Sequence, residues 1–76
     1  NPLPQVLENI IVKDKNIINK TKCKNAINKA GKLMGHSGRI LVRKSGTEPK
    51  VRVMAESRNK NLILKCIKII KQSIKN

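Results

Sequence analysis

The stretch Ile40-Leu41-Val42-Arg43-Lys44-Ser45-Gly46-Thr47-Glu48-Pro49-Lys50-Val51-Arg52-Val53-Met54-Ala55 sets two short apolar runs on either side of a polar turn. Both runs, over 40–43 and 51–55, read as strands. In the second, Val51, Val53 and Ala55 fall on one side and Arg52 and Met54 on the other, which is the two-residue period of a half-buried strand. The turn over 44–50 is longer than the commonest two-residue hairpin connection. Pro49 drives Glu48 toward extended geometry and shapes the exit of the turn. Arg43 and Arg52 therefore stand near the strand ends that hold the loop.

Working outward, the stretch over 6–12 is a third apolar run, with Ile10, Ile11 and Val12 β-branched, and it also reads as a strand. A polar connector follows at 13–16. Cys23, Ala26, Ile27, Ala30, Leu33 and Met34 recur at helical spacing and predict an amphipathic helix over roughly 19–34, stopped by Gly35. Ile63, Cys66, Ile67, Ile70 and Ile74 form a second apolar stripe and predict a helix over about 59–75. The lead-in at 1–4 is expected to be extended, because Pro2 and Pro4 deny a helix. The predicted order is β-α-β-β-α. The simplest way to bury two amphipathic helices and one small sheet is to lay both helices on one sheet face, an α+β sandwich.

The chain has 76 residues, no aromatic residue and a net charge of +14. One small domain is the most it can form, and a core of this size is marginal alone. The charge invites a nucleic-acid partner. The lysines are not blocked, however: Lys13, Lys20, Lys29, Lys60, Lys68 and Lys75 are spread along the chain and read as solvated surface. Gly35-His36-Ser37-Gly38 superficially resembles the Gly-x-x-Gly loop of KH domains. It is followed by a strand-like run rather than a helix, and no aromatic is present to stack on a base, so this is the weaker reading. His36 is read as a turn residue at the helix exit. Cys23 and Cys66 lie in helical patterns without a Cys-x-x-Cys or Cys/His cluster, so a zinc site is unsupported and buried reduced thiols are expected. No apolar run is long enough to span a membrane. The start lacks a methionine and a signal-peptide pattern, and the chain reads as a piece of something longer. No Gly-x-x-x-x-Gly-Lys-Ser/Thr P-loop occurs.

The decapeptide from Arg43 to Arg52 carries the chemistry. A dianionic phosphate needs several convergent N–H and O–H donors beside fixed positive charge. Ser45 and Thr47 supply hydroxyls, Gly46 allows a close backbone approach, and Arg43 and Arg52 supply planar forks of donors that match phosphate oxygens. Any one of these alone would suit an ordinary basic hairpin. Together they predict an anion site.

The run from Gly38 to Met54, with its Arg-x-Ser-Gly-Thr-Glu-Pro core, resembles the C-terminal signature of the α-D-phosphohexomutases. The Gly38-Arg39 lead-in, the trailing Arg52-Val53-Met54, the start of the first strand at Pro4-Gln5-Val6-Leu7 and the Ala26 to Ala30 pattern are most similar to the bacterial phosphoglucosamine mutases. The phosphoglucomutase/phosphomannomutase branch is the alternative. The resemblance implies the fourth and last domain of a four-domain enzyme, with the cleft shared by all four domains. It implies that Arg43, Ser45, Gly46, Thr47 and Arg52 grip the non-reacting phosphate of a phosphosugar. It also implies that the phosphoserine and the aspartates that hold magnesium lie outside this chain, so the piece alone is expected to be inactive and to bind no metal. The partners implied are the phosphosugar and the other domains of the parent, in the cytoplasm. Lys44 is expected to point away from Arg43 and Ser45. Glu48 is expected to brace the loop by pairing with an arginine or a backbone amide.

Overall fold

The computed structural model describes residues 3–75. It contains three strands, β1 (Gln5–Ile11), β2 (Gly38–Lys44) and β3 (Lys50–Ser57), and two helices, α1 (Thr21–Met34) and α2 (Lys60–Lys75). The order is β-α-β-β-α, as the periodicities predict. The first two residues of the expected extended lead-in lie outside the described residues.

The strands form one sheet in the order β1-β3-β2, with both flanking strands antiparallel to β3. The central place falls to the most buried strand. Val51, Val53 and Ala55 are fully buried on its inner side, where they meet Ile10 and Val6 of β1 and Ile40 and Val42 of β2. Both helices cover this face. Ala30, Cys23 and Met34 of α1 and Ile63, Cys66, Ile67, Ile70 and Ile74 of α2 complete the core. Leu33, expected on the inner face of α1, is instead exposed. At 3.6 residues per turn it sits roughly a quarter turn from the line through Cys23, Ala30 and Met34. Both cysteines are buried and free, and the Cys66 Sγ–H points to the Ala30 carbonyl at 3.4 Å. Burial pushes the Cys66 thiol above its ordinary value, against a smaller lowering by Lys65.

The element ends have local causes. Asp14 accepts from the Asn16 amide at 2.9 Å and starts a 3₁₀ turn, Lys15–Asn19, so α1 begins at Thr21 rather than near Asn19. Ile17 and Ile18 of that turn pack on the core. Gly35 ends α1 at φ 53°, a conformation glycine adopts without strain. Asn59 accepts from the Leu62 amide at 3.2 Å and caps α2. Gly38 has a different reason: a Cβ there would lie 1.8 Å from the Glu56 carbonyl oxygen. The Gly35 to Gly38 segment runs straight into β2. A KH loop would need a helix there, so the nucleic-acid alternative loses its motif. The lysines Lys13, Lys20, Lys29, Lys60 and Lys68 are all exposed.

Candidate functional site

On the sheet face away from the helices, the register sets side chains in rows. Leu7, Met54 and Leu41 form one row across the three strands, and Asn9, Arg52 and Arg43 form the next. Arg43 and Arg52 are thus direct cross-strand partners on the same face. Like charges placed opposite one another are destabilising, and a carboxylate between them would be the usual remedy. Among the described residues the three ion pairs lie elsewhere: Arg39 with Glu56, Lys50 with Glu48, and Lys71 with Glu8. Arg52 spends its Nε–H on the Asn9 Oδ1 at 3.3 Å, which leaves its terminal nitrogens for another acceptor.

The loop over 45–49 closes one end of this row. The Ser45 amide donates to the Lys50 carbonyl at 3.0 Å, and the Lys50 amide donates to the Glu48 carbonyl at 2.7 Å. Ser45 Oγ accepts from the Glu48 amide at 3.4 Å, so its own proton stays free to donate. Glu48 braces the loop as expected, but its ion-pair partner is Lys50 at 3.0 Å rather than an arginine. Arg43, Ser45, Gly46 and Arg52 surround a hollow of about 360 Å³, joined by Asn9, Lys44, Glu48 and Lys50. Thr47, the remaining expected site residue, is exposed at the tip of the loop and is not part of the hollow's wall. Lys44 points to the helix side, with its ammonium on the Asn16 Oδ1 at 3.3 Å. The φ of Gly46 is not positive, and a Cβ there would meet nothing within 4 Å. What glycine leaves there is open space beside the backbone.

A family model of the phosphoglucomutase/phosphomannomutase C-terminal domain matches residues 7–72. The chain belongs to this family. It is 59% identical over 75 residues to the phosphoglucosamine mutase of Pelagibacter ubique (strain HTCC1062), covering 99% of this chain and 17% of that protein. It is 51% identical over 55 residues to the phosphoglucosamine mutase of Bartonella bacilliformis, covering 72% of this chain and 12% of that protein. The fold matches the crystal structure of an N-acetylglucosamine-phosphate mutase, a member of the α-D-phosphohexomutase superfamily in its substrate complex, with a TM-score of 0.72 and 30% identity over 92% of this chain and 15% of that one. The phosphohexomutase C-terminal domain is thus a small part of the curated relatives it matches, which are isomerases by name.

Three side chains of this phosphohexomutase domain escaped the sequence reading. Asn9 reaches the site only because β1 pairs with β3, a pairing that no local pattern announces. Lys50 pairs with Glu48 two residues away, and that spacing in a turn was a usable signal. Lys15 lies in the polar connector yet donates to the Ser45 carbonyl at 3.0 Å and the Gly46 carbonyl at 3.3 Å. No helix among the described residues is long and apolar enough to cross a membrane.

Proposed function

We propose that this domain holds the phosphate of a phosphosugar in a larger mutase, most closely a phosphoglucosamine mutase acting on glucosamine 6-phosphate and glucosamine 1-phosphate, and that it is the last domain of that enzyme. The observation that carries the reading is the Arg43–Arg52 cross-strand pair, which faces the loop hollow while neither guanidinium forms an ion pair among the described residues, Glu48 of the hollow being paired with Lys50. A phosphate in that hollow would take charge-assisted hydrogen bonds from both guanidiniums, a proton from Ser45 Oγ, and loop amides. Thr47, at the loop tip, would reach the phosphate from the open side. The names of the relatives support the choice of sugar.

The chemistry of the loop suits a mutase. Arginine forks, hydroxyls and amides read the phosphate and not the sugar, so the site would accept a phosphate from either end of the molecule. A mutase whose intermediate turns around between two half-reactions needs that tolerance. Fixing the remote phosphate would also orient the reacting one, which can supply a large part of a rate enhancement. The transfer itself would depend on groups outside this chain. The four acidic residues do not fit a magnesium ion: Glu8, Glu48 and Glu56 are each paired with a cation, and Asp14 caps a turn. The piece alone would then bind phosphate without catalysing isomerisation.

Titrating inorganic phosphate or glucosamine 6-phosphate into the labelled chain, while following backbone amide shifts, tests the reading. Saturable shifts concentrated at Ser45, Gly46 and Thr47 are expected. Shifts scattered over the exposed lysines, with none in the loop, would overturn it.

A further inference from the structure

We propose that Lys15 is a positioning residue for the phosphate loop, acting from behind it to aim the loop amides at the anion. The inference rests on the phosphate-binding reading above and adds a residue to it. The Lys15 ammonium donates to two successive carbonyls, Ser45 O at 3.0 Å and Gly46 O at 3.3 Å. Successive carbonyls in an extended strand point to opposite sides; here both are drawn to one side. In a planar trans peptide the N–H points opposite to the preceding C=O. Drawing the Ser45 and Gly46 carbonyls toward Lys15 therefore turns the Gly46 and Thr47 N–H groups away from it, side by side. Adjacent amides on one side make the kind of concavity that binds anions. Neither amide donates to an acceptor among the described residues, whereas the Ser45 and Glu48 amides on either side are both engaged. Lys15 is not among the side chains around the hollow, and the 3₁₀ turn it opens packs on the core through Ile17 and Ile18, so it approaches the loop from the helix side of the sheet.

The rest of the connector ties the two ends of the loop. Val12 N–H donates to the Pro49 carbonyl at 2.8 Å, and Asn16 Oδ1 accepts from Lys44 at 3.3 Å. Among the described residues of the connector, Lys15 alone holds the middle, where the free donors are. Lysine side chains lose considerable rotamer freedom when ordered, and this one is ordered on backbone oxygens rather than left in solvent like Lys13.

The test compares wild type, Lys15→Met, Lys15→Arg and Lys13→Met in the whole chain, with inorganic phosphate as the probe and far-UV circular dichroism to confirm folding. Lys13 is exposed in the same connector and removes the same charge. Lys15→Met is expected to weaken phosphate binding by about three- to tenfold, the scale of losing hydrogen bonds from a charged donor at a partly exposed site. Lys13→Met should change it less than about twofold, as a screened surface charge does. Lys15→Arg, whose fork can span two carbonyls, should restore binding. Without phosphate, the ¹⁵N heteronuclear NOE of Gly46 and Thr47 should fall in Lys15→Met alone. Wild-type affinity in Lys15→Met, a loss equalled by Lys13→Met, or an unchanged NOE would overturn the role of Lys15 while leaving the phosphate site standing. Absence of loop shifts in the wild type would sink the phosphate reading itself, and this inference with it.

Discussion

Replacing Arg52 with glutamine should weaken binding without lowering stability. Without ligand, Arg52 faces Arg43 across the strand pair and has no carboxylate partner among the described residues. Opposed like charges cost about 0.2–1 kcal/mol. A domain of this size shifts its melting temperature by about 4–8 °C per kcal/mol. The exposed Asn9 contact at 3.3 Å offsets part of the gain, and glutamine can keep some of it. The variant is therefore expected to melt at the wild-type temperature or a few degrees higher. Binding should fall. A hydrogen bond to a charged group is worth about 1.5–3 kcal/mol; discounted for the exposure of Arg52, about 1–2 kcal/mol remains, or roughly a 5- to 30-fold weaker affinity. Thermal melts followed by circular dichroism, with and without phosphate, read both effects. At ten times its Kd, phosphate should stabilise the wild type by about 1.4 kcal/mol; at the same concentration, a tenfold weaker variant gains only about 0.4 kcal/mol. A variant that melts lower without phosphate, yet gains the full shift with it, would show that Arg52 serves the sheet and not an anion.

Gly38→Ala places a Cβ 1.8 Å from a backbone oxygen of β3, so the central strand must move, and a loss of about 1–3 kcal/mol is expected in a denaturant titration. Gly46→Ala, where the Cβ meets open space, should leave the melt unchanged and weaken phosphate binding by crowding the approach. Ile70 is fully buried, and Ile70→Ala should cost about 2–5 kcal/mol, enough to unfold much of so small a domain at 37 °C by circular dichroism. Above the ordinary thiol value of 9.0, the unfolded chain releases the Cys66 proton while the fold retains it. Stability should therefore fall as pH rises from there toward the raised folded value, and Cys66→Ala should flatten that part of the pH–stability curve. In a mutase carrying this domain, Arg43→Ala should lower kcat/KM, and an unchanged value would count against the site.

Much of this domain was legible from its residues. The strand periods of 40–43 and 51–55 and the isoleucine stripe of α2 gave the element order, because an amphipathic period records which side of an element is buried. The gathering of two hydroxyls, a glycine and two arginines around one turn was legible because all of them lie within ten consecutive residues. Leu33 misled because apolar character at the edge of a helical stripe does not say how far the covering layer reaches. Gly46 shows another limit of local reading: a glycine in a turn can serve the backbone or leave room, and only its φ distinguishes the two.

Local order thus determined the succession of strands and helices, and with it the donors that a phosphate would meet. Tertiary structure alone decided that β3 lies between β1 and β2, and so that Asn9, Arg52 and Arg43 share one row. It alone brought Lys15 across to the Ser45 and Gly46 carbonyls. The physical reason is one of range. Periodicity and turn chemistry act over a few residues, whereas strand pairing and a lysine's choice of acceptor follow from how the whole core closes over Val51, Val53 and Ala55.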